Sequence, residues 1–148
     1  MGEYELDNRL DDEAQKELEK ALALDPTRTK SLYLLGRLYV LDHENQKAIP
    51  LLSRALKLQP NLEEAGALLG NAYVREGQYA EAVSVLEKSA PIDRYGDVHY
   101  QLATAYRKLG KVDQAKKVFE LSQEIRRRQL EMDQARIMGP QRVEPNPQ

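Results

Sequence analysis

Few side chains in this chain are placed to do chemistry. Its two histidines, His43 and His99, are far apart, and neither has a second histidine at metal-ligand spacing. There is no cysteine, so thiolate metal sites and disulfides are both excluded. The carboxylate pairs Asp11-Asp12 and Glu63-Glu64 are of a kind common on solvated faces, and a general acid needs a cleft to tune it. The stretch GALLGN, Gly66–Asn71, holds two glycines, but inside a helical pattern, where they serve packing rather than a phosphate. No serine sits in a nucleophile-elbow context. The chain therefore reads as a non-enzyme, with no metal and no cofactor expected.

What the residues do carry is a repeat. LLGRLY at Leu34–Tyr39 returns as LLGNAY at Leu68–Tyr73 and more weakly as QLATAY at Gln101–Tyr106. The register extends further. Leu32, Leu35, Gly36, Tyr39, Ala48, Leu52, Ala55 and Pro60 correspond to Gly66, Leu69, Gly70, Tyr73, Ala82, Leu86, Ser89 and Arg94. The third set is His99, Leu102, Ala103, Tyr106, Ala115, Phe119, Ser122 and Arg127. Ala14, Leu18, Ala21 and Pro26 match only the second half of the unit. Internal repetition at this period is the signature of a solenoid.

Each unit reads as two helices. In Ser31–Leu41 and Lys47–Leu58 apolar residues recur at three- and four-residue spacing. Polar breaks divide the halves: Asp42–Asn45, Glu76–Gln78 and Gly110–Lys111. Pro50 falls in the first turn or just beyond, where its missing N–H costs least. No strand pattern is present. Gly inside a helix costs about 1 kcal/mol relative to Ala, so the return of Gly36 at Gly70 predicts a close approach to the paired helix, near Ala48 and Ala55 and, in the second unit, Ala82.

Leu35-Gly36, Tyr39, Ala48 and Pro60 resemble the tetratricopeptide repeat family, with Leu52 in place of the family's Phe. Phe119 keeps that Phe in the third unit, where Ala103 replaces the Gly. The resemblance spans about Asp11 to Ser122. It implies an all-α, helix-turn-helix repeat solenoid, with about three full repeats, a preceding half repeat and a long C-terminal helix. The corresponding division is an N-terminal extension over 1–10, a repeat domain over 11–138 and a disordered tail over 139–148. Within the domain the half repeat is 11–28, the repeats are 29–62, 63–95 and 96–122, and a capping extension covers 123–138.

In the resembled family the concave face is lined mainly by the first helix of each pair. Once packing positions are removed, that face is expected to carry Tyr33, Arg37 and Val40, then Ala67, Asn71, Val74 and Arg75, then Tyr100, Thr104, Arg107 and Lys108. Each residue singly reads as an ordinary solvated position. As a set they combine tyrosine contact area with arginine forks that suit carboxylates. The expected function is protein–protein interaction, with an extended or helical segment of another protein, acidic in character, held in the groove. The alternative is a scaffold or oligomerisation unit working through its terminal helices. The carboxylate clamp that some family members use on chaperone tails is missing, because Tyr33, Arg37, Leu68, Asp97 and Gln101 stand at its positions.

The two ends differ. The N-terminus is expected to hold only a second-type helix, about Asp11–Leu24, as in a fragment of a longer array or one begun by a helical cap. From Val112 to Met138 neither Gly nor Pro interrupts a helical pattern of ~40 Å, at the 1.5 Å rise of an α-helix. Val118, Leu121, Ile125, Met132 and Ala135 form a stripe along it, interrupted by Arg128, suited to capping the stack or docking a partner, and a weak homo-oligomer through this helix is expected. The net charge of −2 argues against general nucleic-acid binding, and Arg126–Arg128 is too short a run to change that. No apolar run approaches the ~18–20 residues needed to cross a bilayer. The first ten residues lack the pattern of a signal peptide, and Leu6 stands where a myristoylation motif needs Ser or Thr. A soluble protein of the cytoplasm is expected, or of a bacterial periplasm if an upstream segment has been removed.

Overall fold

The computed structural model describes residues 2–139, with side chains from residue 10 onward. The tail expected over 139–148 therefore lies, apart from Gly139, outside the described residues. Seven α-helices follow one another: α1 (Gly2–Leu24), α2 (Thr29–Leu41), α3 (Asn45–Leu58), α4 (Glu63–Arg75), α5 (Tyr79–Ser89), α6 (Asp97–Lys108) and α7 (Val112–Met138). A 3-10 turn, Ala90–Ile92, interrupts the path from α5 to α6. There is no strand among the described residues.

Two sequence expectations are corrected here. The first helix begins at Gly2 rather than near Asp11, so the supposed extension is helical. No Gly or Pro follows Gly2 before Pro26, and the segment is rich in Glu and Leu, both good helix formers. Pro50 sits in the second turn of α3, because that helix starts at Asn45 rather than Lys47. Its ring is exposed, and so is Gln46, whose carbonyl a residue with an N–H at that position would have engaged.

Every helix packs on the one before it and the one after it, while α4 also meets both α2 and α6. The first helix of each pair thus forms an inner layer, and α3, α5 and α7 lie outside it. The turn after each inner helix is built in the same way. The N–H groups of Glu44, Gln78 and Lys111 donate to the carbonyls of Tyr39, Tyr73 and Tyr106, at 2.8, 2.9 and 2.9 Å. This closure needs a left-handed residue just after the helix. Gly77 and Gly110 supply it at φ +75° and +77°, and His43 takes the same position at φ +61°.

Packing over the repeated glycines explains their register. A Cβ on Gly36 would lie 2.7 Å from Cγ and 2.8 Å from Cδ2 of Leu52, and one on Gly70 would strike Leu86. The atoms that demand glycine are thus leucine side chains one turn beyond Ala48 and Ala82, the residues expected from the sequence. Leu52 and Leu86 are both 0% exposed. In the third unit Ala103 already carries the Cβ, and Phe119, in the register of those leucines, is 42% exposed. A second repeated device is a buried serine. The Ser89 hydroxyl donates to the Glu63 carbonyl at 3.0 Å, and Ser122 to that of Gly96 at 2.7 Å. Each ties an outer helix to the start of its inner partner.

The core falls into two clusters. One gathers Leu35, Tyr39, Leu52 and Leu69, and the other Leu86, Leu102, Ala105 and Tyr106. Tyr73 packs against both.

Candidate functional site

The inner layer places the expected strip residues unequally. Tyr33 is half-buried and packs on the first core cluster, whereas Arg37 is exposed one turn on. Val40 does not belong to the strip. It is 4% exposed, in the same cluster as Ala65, Leu69 and Ala72, so it seals α2 against α4. On α4, Ala67, Asn71 and Val74 are half-buried, and Val74 packs towards the second cluster. Arg75 leaves the strip: its Nη1 lies 2.8 Å from Nδ1 of His43, in the turn between α2 and α3. Because Arg is always a donor, that His43 nitrogen is the acceptor.

Asn71 lies at the centre. Its Oδ1 is buried and accepts no hydrogen bond among the described residues. A buried polar atom left without a partner costs on the order of 1–3 kcal/mol. Arg37, Arg107 and Lys108 are exposed and form no ion pair among the described residues. The carboxylates Glu64 and Asp97 stand at the opposite ends of their helices, in the first turns of α4 and α6. Asp97 already meets Arg126 at 3.2 Å.

The third set of strip residues turns a corner. Tyr100, Thr104 and Arg107 line a cleft of about 560 Å³ together with Val112, Ala115, Lys116 and Phe119 of α7. The Thr104 hydroxyl donates to the Tyr100 carbonyl at 3.0 Å. The Tyr100 ring meets Phe119 with 6.3 Å between centroids, and the Arg126 guanidinium lies 5.4 Å from its centre. A second groove, about 510 Å³, opens on the outer face between α3 and α5, lined by Ser53, Lys57, Tyr73 and Lys88 among others.

Two polar features were not read from the sequence. The inner tyrosines reach back to the preceding outer helix. Tyr39 donates to Glu19 at 3.2 Å, and Tyr106 donates to Glu87. Burial, with the Glu87 hydrogen bond and charge, pushes the Tyr106 hydroxyl up to about 12. In the second unit Ser53 stands at the position of those glutamates, where the outer groove opens. Repeat alignment alone would have found this glutamate–tyrosine register. The other feature is Asp93, whose side chain is 3% exposed. It accepts from the backbone N–H of Gly96 at 2.8 Å and of His99 at 2.9 Å, and it meets His99 Nδ1 at 2.7 Å. Burial alone would raise this carboxyl, but the hydrogen bonds from His99 and Gly96, with the charge of His99, outweigh it and hold Asp93 below its ordinary value. His99 is therefore part of a cap on α6. No group of metal-ligating side chains occurs among the described residues.

Residues 1–63 match the family described as tetratricopeptide repeat. Residues 42–121, more than half of the chain, match the family of repeats described as anaphase-promoting complex, cyclosome, subunit 3. The chain belongs to the tetratricopeptide repeat family. No curated protein sequence matches it. Among solved structures it is similar to "MamA MSR-1 C2", with a TM-score of 0.73 and 25% identity over 83% of this chain and 71% of that one. A second, "Crystal structure of MamA", gives a TM-score of 0.73 and 28% identity over 88% and 77%. A third, "Crystal structure of MamA protein", gives 0.71 and 26% over 97% and 75%. The tetratricopeptide fold and family are those of protein–protein interaction and scaffold modules, whose members are generally not enzymes. No helix among the described residues is long and apolar enough to cross a membrane.

Proposed function

We propose that this repeat domain binds a peptide segment of another protein along the inner layer, with Asn71 at the centre and Arg37 beside it meeting acidic or carboxylate groups. The observation that carries the reading is the set of exposed cations on the inner helices, Arg37, Arg107 and Lys108, none of which has an ion-pair partner among the described residues, with the half-buried Asn71 amide between them. An extended peptide brings backbone N–H and C=O groups, which such an amide can satisfy at once. Tyr33 and Tyr100 supply contact area on either side. Arg107 and Lys108 extend the positive end of the strip, while Glu64 and Asp97 mark its negative end, which gives a bound acidic segment one preferred direction.

The test compares Arg37→Ala plus Asn71→Ala with Arg127→Ala, whose guanidinium pairs with Glu131 on α7. The ligand is a peptide selected from a display library on the wild-type domain. Losing the arginine of a carboxylate pair costs about 1–3 kcal/mol, tenfold or more in affinity. Melting temperature should hold or rise on Asn71→Ala, since the variant removes a buried acceptor that has no partner among the described residues. A double variant that binds as wild type, while Arg127→Ala loses affinity, would refute the inner-layer reading.

A second reading, a scaffold acting through its terminal helices, is favoured by the exposed Leu130, Met132, Ile137 and Met138 near the end of α7. Sedimentation of a chain ending at Arg128 tests it: unchanged association would sink that role for the helix.

A further inference from the structure

The cleft at the end of the stack is built like two seats that are already filled. The first helix of each following unit lies against the preceding pair: α4 against α2 and α3, then α6 against α4 and α5. The inserted face has one pattern. On α4 it is Ala65, Leu69 and Ala72; on α6 it is Val98, Leu102 and Ala105, again with the leucine between smaller residues at i−4 and i+3. After α7 no helix follows among the described residues, and the equivalent surface is the cleft of Tyr100, Ala103, Ala115 and Phe119. Phe119 is the sign of this. Its register partners Leu52 and Leu86 are wholly covered, and it is not.

The third seat also differs in charge. Counting by the repeat, the wall positions Val40 and Ile49 in the first seat, and Val74 and Val83 in the second, become Arg107 and Lys116 at the open end. Both cations line the cleft, and no carboxylate does. An apolar first helix, such as those inside the stack, would bury a guanidinium and an ammonium without partners, which costs far more than it gains. A helix that carries carboxylates beside its apolar ridge would pair them instead.

We infer that this cleft docks one amphipathic helix of a partner protein, with a leucine between two small residues as its ridge and acidic residues flanking it, completing the stack as a further unit would. This surface is separate from the centre of the inner layer at Arg37 and Asn71. Tyr100 and Arg107 belong to both surfaces, but Arg37 and Asn71 do not line the cleft, and Lys116 and Phe119 take no part in the inner strip, so substitution of Phe119 separates this inference from the function proposed above.

The experiment uses the full chain and helix-stapled synthetic peptides with an Ala-x3-Leu-x2-Ala ridge, the flanking positions being all Glu in one set and all Lys in the other. Fluorescence anisotropy should show saturable binding of the Glu set, at least tenfold tighter than the Lys set and weakened by salt. Arg107→Glu plus Lys116→Glu should reverse the preference. Phe119→Asp, at a part-exposed site, should abolish binding of both sets while circular dichroism shows the fold intact, and Arg127→Ala, at a residue that lies outside the cleft and pairs with Glu131, should leave binding unchanged. Equal binding of both sets, no binding of either, or undiminished binding by a folded Phe119→Asp variant would overturn the inference. So would wild-type self-association in sedimentation that Phe119→Asp removes, because the occupant would then be a second copy of this chain.

Discussion

Replacing Gly36 by alanine sets two effects against each other, and the structure decides the sign. In an exposed helix Gly→Ala stabilises by about 1 kcal/mol. Here the new Cβ would lie 2.7 Å from Cγ and 2.8 Å from Cδ2 of Leu52, with Leu51 Cβ at 3.6 Å. Ordinary carbon contacts are about 3.5–4.0 Å, so Leu52 has to retreat on two atoms at once. It is wholly buried and has nowhere open to go. Overpacking of this kind costs typically 1–3 kcal/mol. Two simultaneous overlaps place it in the upper part of that range, which leaves Gly36→Ala net destabilising by about 1–2 kcal/mol. For a chain of this size each kcal/mol shifts the melting temperature by roughly 2–4 °C. Thermal and urea unfolding followed by circular dichroism measure it. A control isolates the cause: in a Leu52→Ala background the same glycine substitution should become stabilising, by up to about 1 kcal/mol. A single Gly36→Ala that melts higher than wild type would refute the packing argument for every repeated glycine.

Three further outcomes follow from the geometry. In an ultraviolet pH titration Tyr106 should ionise late, near 12, and Tyr39, raised by burial and by Glu19, should also ionise above its ordinary value. The folded value of Tyr106 is raised, so the associated stability is full below the unfolded value near 10 and is lost as pH rises towards 12, and Glu87→Gln should bring the late transition down. Asp93→Ala should destabilise by about 1–3 kcal/mol at neutral pH, because the N–H groups of Gly96 and His99 lose their acceptor. With its folded value depressed, that contribution is present above the ordinary carboxylate range and disappears as pH falls below it, so variant and wild type should converge in acid. Gly110→Ala meets no atom within 4 Å, so its cost of about 1–2 kcal/mol would be left-handed backbone strain alone, whereas His43→Gly relieves that strain and gives up the Arg75 hydrogen bond, so in an Arg75→Ala background it should raise the melting temperature.

The helices were legible because each has one covered face, and the repeat confirmed them by stating that face three times. The small residues were legible as well, but not their partners: Gly36 answers to Leu52, on another helix, and periodicity within one helix carries no such information. Val40 was misread for the same reason. Its helical face reads as free until α4 is laid against it. Arg75 was misplaced because a long side chain at a helix end can reach sideways into a turn, here to His43. Asp93 was missed because the loop from 90 to 96, with a 3-10 turn around Pro91, is longer than the connections that carry Pro26 and Pro60, and a carboxylate that caps a helix from within an irregular loop has no periodic signature. The cleft between α6 and α7 was hidden by the register itself: Phe119 occupies a core position, and it is exposed because no helix among the described residues packs over it.

Tyr73 packs against both core clusters, and this has a mechanical meaning. Its ring belongs to both halves of the core, and α4 is packed against α5 as closely as α2 is against α3, so a displacement of either half is passed on at this seam. A segment laid across α2, α4 and α6 would act as a splint over that seam. Its effect would register as a stiffening of the whole spring, with the coil at rest holding a curvature that its cargo can alter.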